Sequence, residues 1–194
     1  VARRYCTENR VNYNEKNIIV AHLGGGVSVG IHKNGKVVDV NNALDGDGPF
    51  SPERSGGIPA GQLVKMCFSG KYSQEDIKKK LKGSGGIVSY LNTNDVRDVM
   101  KMVEDGDKNA KLIVDAMCYQ IAKEIGALST VVAGKVDSII LTGGISYSKY
   151  VVEKISNSVN FIAPITVYPG EDEMSALALG GLRVARGVES AKIY

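Results

Sequence analysis

The chain is 194 residues long, 43% hydrophobic and 23% charged, with a formal net charge of +3, the make-up of a globular domain with a substantial core. Its basic residues are dispersed apart from Lys78-Lys79-Lys80, unlike the concentrated positive face of a nucleic-acid binder, and no apolar run approaches the roughly 20 residues of a membrane span. Three cysteines, Cys6, Cys67 and Cys118, without CxxC spacing argue against a disulfide framework and a zinc site; reduced thiols in a cytoplasmic protein are the expectation.

Val1 to Arg10 reads as the tail of a helix already under way, and the chain is expected to be a fragment or a processed product. Ile18 to Leu23 is an apolar run that ends in Gly24-Gly25-Gly26, and a second run, Val27 to Ile31, follows at once. Asn34-Gly35 then turns the chain into Lys36 to Val40. An Asn-Gly pair between alternating apolar segments is a strong hairpin signal, because a type I′ turn needs positive φ at both central residues. His32 and Lys33 beside that turn read as surface residues. The bare backbone at Gly24 to Gly26 suits an anion-binding turn, since a side chain there would hold the amides away from a phosphate.

A loop rich in Asp, Gly and Pro follows from Asn41 to Pro59, then a short helix over Ala60 to Phe68. Ser73 with Asp76 makes a capping-box start for a polar, exposed helix over Gln74 to Lys82. Gly83-Ser84-Gly85-Gly86 breaks the pattern, and clustered glycine of this kind suggests a ligand loop. Asn94 is the expected N-cap of a helix over Asp95 to Glu104. Asp107 caps the longest helix, Lys108 to about Ala133, where Ile113, Met117, Ile121, Ile125, Leu128 and Val132 form the stripe of a core-facing helix.

Ser138 to Thr142 reads as a fully apolar strand, Gly143-Gly144 as a tight turn, and Tyr147 to Ser156 as a helix. A short strand over Ile165 to Val167, a Pro169-Gly170 turn and a last helix from Glu171 to about Arg186 complete the order. Three meander strands followed by alternating helix and strand predict an α/β ribonuclease-H-like domain, a mixed sheet with helices on its faces. Its ligand would lie at the strand C-termini, where both glycine turns fall.

Four motifs in order carry a resemblance: His22-Leu23-Gly24-Gly25-Gly26, Arg54-Ser55-Gly56-Gly57, Asn94-Asp95-Val96-Arg97-Asp98, and Leu141-Thr142-Gly143-Gly144-Ile145-Ser146. Together they resemble the acetate and butyrate kinase family of the actin-like ATPase superfamily, which phosphorylates short-chain carboxylates from ATP. The run Pro169 to Ala178 leading into Gly180-Gly181-Leu182-Arg183 is similar to the butyrate branch. The acetate branch would have Asn at Gly25, Asp at Gly57, and Gly-Glu-Asn at Ser146-Tyr147-Ser148.

The resemblance implies that residues 1–194 form the C-terminal nucleotide-binding lobe of a two-lobe kinase, with a helical insertion over 58–106 and the N-terminal lobe lying outside this chain. It implies nucleotide contacts at His22, Gly24, Gly25, Gly26, Asp95, Val96, Arg97, Gly143, Gly144, Ile145 and Ser146. Within that set, His22 and the three glycines would face phosphate, Asp95 the ribose, and Arg97 the base. Arg54 would stabilise the transferring phosphoryl group, whose charge spreads over three equatorial oxygens that a planar guanidinium can meet. ATP and Mg²⁺ are the implied cofactors, with Asp172 or Glu173 acting on magnesium through bound water. The implied partners are a short-chain carboxylate, the other lobe and a second copy of the chain. A nucleotide-binding sensor, or a repressor lobe related to sugar kinases, is the alternative.

Overall fold

The computed structural model describes residues 1–191 apart from the side chain of Glu173. Its centre is a five-stranded sheet. Strands β1 (Ile18–Leu23), β2 (Val27–Lys33) and β3 (Lys36–Val40) form the expected antiparallel meander. Asn34 and Gly35 adopt φ of 51° and 75°, the left-handed pair that a type I′ turn requires. Strand β4 (Ser138–Gly143) runs parallel to β1 on its other side, and β5 (Ile165–Pro169) runs parallel to β4. The order is therefore β3-β2-β1-β4-β5. Every residue of β4 is buried, whereas every residue of β3 is exposed; a parallel inner strand is covered on both faces and an edge strand is not.

Helix α1 (Ala2–Glu8) precedes the sheet. Between β3 and the long helix lie α2 (Ala60–Cys67), α3 (Gln74–Leu81), α4 (Gly86–Leu91) and α5 (Val96–Glu104). Helix α6 (Lys108–Ser129) packs on β1 and β2, α7 (Lys149–Val159) packs on α6, and α8 (Glu173–Ala185) closes the order. The α6 stripe performs as its spacing predicts: Met117, Ile121 and Ile125 are fully buried against Ile19, Ala21, Val29, Ile31 and Leu141 from the sheet. Truncating one of these to alanine removes contacts that the rigid sheet cannot collapse to replace, at about 2–5 kcal/mol. On the opposite face a smaller cluster joins Ile18 and Ile140 to Ala2 and Cys6 of α1.

Several local expectations change. Asp95, not Asn94, caps α5, its carboxylate accepting the Arg97 amide at 2.8 Å. Helix α4 lies where only a glycine break was expected. The chain after Gly143 first makes a single 3-10 turn over Gly144–Tyr147, and α7 starts later, capped by Ser148. His32 is half-buried rather than a surface residue. Its Nδ1 lies 2.7 Å from the Tyr13 hydroxyl, and burial, together with nearby Arg3, lowers its pKa.

Candidate active site

The parallel pairing of β1 with β4 puts the two glycine turns side by side. His22 is level with Thr142, and a methyl group built on Gly143 would lie 2.4 Å from the Leu23 carbonyl oxygen. Only glycine fits there, and its φ of 91° adds a second reason. Two cavities open at this edge. The larger, about 940 Å³, runs between Asp95–Arg97 of the α5 start and Gly144–Ile145 with Tyr147 and Tyr150. The smaller, about 300 Å³, is lined by His22, Gly26, Ser28 and Arg54. Gly24, Gly25, Glu53 and Glu171 line both, so the chambers meet over the glycine turn.

The backbone donors at this junction divide into used and unused. Gly24 gives its N–H to Gly26 at 3.0 Å, and Gly143 exchanges two bonds with Gly170 at 3.0 and 3.1 Å. These two amides close the turns and do not serve as anion donors, which narrows the expectation drawn from the sequence. Among the described residues, the amides of Gly25, Gly26 and Gly144 make no bond to a backbone carbonyl. They are the donors left for a ligand.

Arg54 stands on a loop that is strapped down at each residue. Ser51 Oγ donates to the Gly25 carbonyl at 2.7 Å, and the Glu53 amide donates to the same oxygen at 3.2 Å. The Glu53 carbonyl accepts from the Gly83 and Gly85 amides at 2.8 and 3.3 Å. The Gly83–Gly86 cluster is thus a strut beneath the Arg54 loop and not a ligand loop. The Arg54 guanidinium lies directly against Gly26, where a built methyl group would fall 2.0 Å from Nη1. Nη1 donates to the Ala43 carbonyl at 2.8 Å, and Arg54 joins none of the ion pairs among the described residues. A guanidinium has five N–H donors, so most of this one faces the smaller chamber unspent.

His22 Nε2 lies 3.2 Å from Glu171 Oε1. Asp95 is tied to Arg97, and the side-chain hydrogen bonds from that guanidinium hold its carboxyl down at about 2, so it is ionised at any working pH. Val96 and Ile145 line the larger chamber as buried residues. Ser146 is buried behind it, and its hydroxyl finds no partner among the described residues. Asp172 is exposed and lines neither chamber, while the Glu173 side chain lies outside the described residues. Sequence reasoning passed over Glu53 and Tyr150, took Asn94 only as a helix cap, and placed the acid of the last helix at Asp172 or Glu173 where Glu171 is the described one that lines the chambers. Glu53 adjoins Arg54 and could have been found by adjacency; nothing local marked Tyr150.

The family profile described as the acetokinase family matches residues 2–169. The chain belongs to the acetokinase family. The chain is 59% identical to butyrate kinase 2 of Clostridium acetobutylicum, over all of this chain and 54% of that protein. It is 50% identical to a probable butyrate kinase of Bacteroides thetaiotaomicron, over all of this chain and 55% of that one. The crystal structure of Porphyromonas gingivalis acetate kinase superposes with a TM-score of 0.83 at 22% identity, covering 93% of this chain and 53% of that one. That likeness gives the fold, the ribonuclease-H-like mixed sheet with helices on its faces expected from the order of elements. The chain spans about half the length of the curated relatives it matches.

Proposed function

We propose that this chain is the nucleotide-binding half of a butyrate kinase, and that the full-length protein transfers the γ-phosphoryl group of ATP to the carboxylate of butyrate or a close homologue. The observation that carries this reading is the junction of the two chambers: a cavity with room for a nucleoside opens through free glycine amides into a small one lined by a guanidinium that joins no ion pair among the described residues. The 59% identity to a butyrate kinase supports the acyl branch and weighs against a sensor or repressor without turnover.

In the proposed reaction a carboxylate oxygen attacks the γ-phosphorus, the bond to the β-phosphate oxygen breaks, and ADP leaves with that electron pair. The acceptor is already ionised at neutral pH, so no strong base is required and catalysis rests on alignment and charge stabilisation. Gly25 and Gly26 would offer amides to the phosphates, with His22 beside them. Arg54 would meet the equatorial oxygens of the transferring group. Asp95 to Arg97 and Gly144 to Ile145 would enclose the nucleoside. Magnesium would supply charge neutralisation on the nucleotide's phosphates; of the two described carboxylates that line both chambers, Glu53 is engaged by Asn94, which leaves Glu171 to meet its water shell.

Because the curated relatives are nearly twice as long, turnover and the acyl pocket are assigned to the full-length protein, and residues 1–194 alone are expected to be inactive. The full-length protein with MgATP, butyrate and hydroxylamine is expected to yield the acyl hydroxamate. Absence of product across the straight-chain acids from acetate to valerate would overturn the assignment. Sizing chromatography would report whether two copies associate, the assembly expected from the resemblance.

A further inference from the structure

Glu53 is a carboxylate standing where a polyphosphate is to lie, and its place needs a reason. Its backbone is among the most firmly held at the site: its amide bonds to Gly25, and its carbonyl takes the Gly83 and Gly85 amides. Its side chain is therefore presented from a fixed post. Oε1 accepts from Asn94 Nδ2 at 2.6 Å, and Oε2 faces Gly25, 3.6 Å from a methyl group built there. Asn94, by contrast, sits on a short link. Asn92 ends α4 in the left-handed region with φ of 56°, and Asp95 begins the cap of α5. The bond crosses from the loop that carries Arg54 to the lip that carries Asp95 and Arg97, at residues lining the larger chamber.

We propose that Glu53 is a positioning residue for the nucleoside chamber: from its rigid loop it holds Asn94, and through Asn94 the Asp95–Arg97 lip. The proposal rests on the kinase reading and adds to it a residue that acts on protein rather than on nucleotide. The direction of the effect follows from which side is firmly held. The Arg54 loop is braced by Gly25 and by the Gly83–Gly86 strut without this bond, so losing it leaves the guanidinium in place and loosens the lip. Affinity for nucleotide should fall while turnover at saturation stays. A hydrogen bond to an ionised acceptor is stronger than a neutral one, but proximity to phosphate makes the negative charge itself a cost. An amide in its place keeps an acceptor for Asn94 and removes the repulsion.

The test compares Glu53→Ala, Glu53→Gln, Asn94→Ala and the Glu53→Ala/Asn94→Ala double variant of the full-length protein. It uses steady-state kinetics with varied MgATP, calorimetric titration of MgADP and thermal melting as a check on folding. Glu53→Ala and Asn94→Ala are each expected to raise the nucleotide KM and the MgADP Kd about fivefold with kcat within about twofold, the pattern of a lost binding contribution. The double variant should be no worse than either single one, because both remove the same bond. Glu53→Gln should bind MgADP as well as the parent or more tightly. A kcat loss without a KM change, additive single effects, or a Glu53→Gln variant as impaired as Glu53→Ala would overturn the proposal. If the parent binds MgADP and the variants are indifferent, this inference alone fails. If the parent binds no nucleotide, the kinase reading fails with it.

Discussion

A methyl group on Gly26 would meet the Arg54 guanidinium at 2.0 Å, and one on Gly86 would meet the Ser51 carbonyl oxygen at 1.8 Å. In sequence the two glycine clusters look alike. At Gly24–Gly26 the missing side chains admit the end of a flexible arginine and leave two amides facing a cavity. At Gly83–Gly86 they admit backbone: Gly85 would strike the Lys80 carbonyl at 2.4 Å and the Ser55 amide at 2.7 Å, and Gly86 has φ of 58° besides. The first cluster shapes the chamber, and the second holds up the loop whose arginine reaches into it. Glycine next to a side-chain terminus can be replaced when that terminus swings away, whereas glycine next to a braced backbone cannot.

That contrast sets the order of the expected effects. Replacing Arg54 with alanine should lower kcat about 10³-fold or more and leave the melting curve nearly unchanged; a loss below tenfold would remove Arg54 from its role at the transferring phosphoryl group. Gly86→Ala should destabilise the protein by about 3 kcal/mol in urea unfolding, because neither the Ser51 carbonyl nor the positive φ can be relieved locally. Unchanged stability there would mean that the 83–86 segment is no strut. Gly26→Ala is the sharper test of the comparison. It should leave stability within about 1 kcal/mol, yet cut kcat about tenfold or more by displacing the guanidinium. Equal stability losses at Gly26 and Gly86 would erase the distinction between the clusters. Gly25→Ala should matter least: its methyl group would sit at ordinary contact distance, 3.6 Å, from Glu53 Oε2, and nucleotide KM should move by less than about threefold.

How far the site was legible follows the same division. The meander, the Asn34-Gly35 turn, the α3 capping box and the α6 stripe are encoded in neighbouring residues, through alternation, left-handed turn pairs and fourfold spacing, and each appears as expected. Helix α4 was illegible because six residues starting with glycine and rich in β-branched side chains have little intrinsic helicity. It forms because Ile87 is buried and its amide bonds to the Ser51 carbonyl at 3.0 Å. His32 was misread because a hairpin shoulder usually faces water; Tyr13, from a segment preceding the sheet, covers it. Glu171 reached the site because β5 ends beside β4 and delivers it next to His22, a placement set by strand order.

By itself the sequence determined where the strands and the main helix begin, and that a glycine turn closes each of two strands. These are properties of short windows, governed by backbone permissiveness and periodic burial. Only the tertiary structure decided which glycine amides remain unspent, which cluster borders a cavity and which is filled by backbone, and that Glu53 reaches Asn94. The physical reason is that a missing Cβ is local, but what occupies its space comes from chain far away in sequence: Arg54 at Gly26, Ser51 at Gly86, and the Leu23 carbonyl at Gly143.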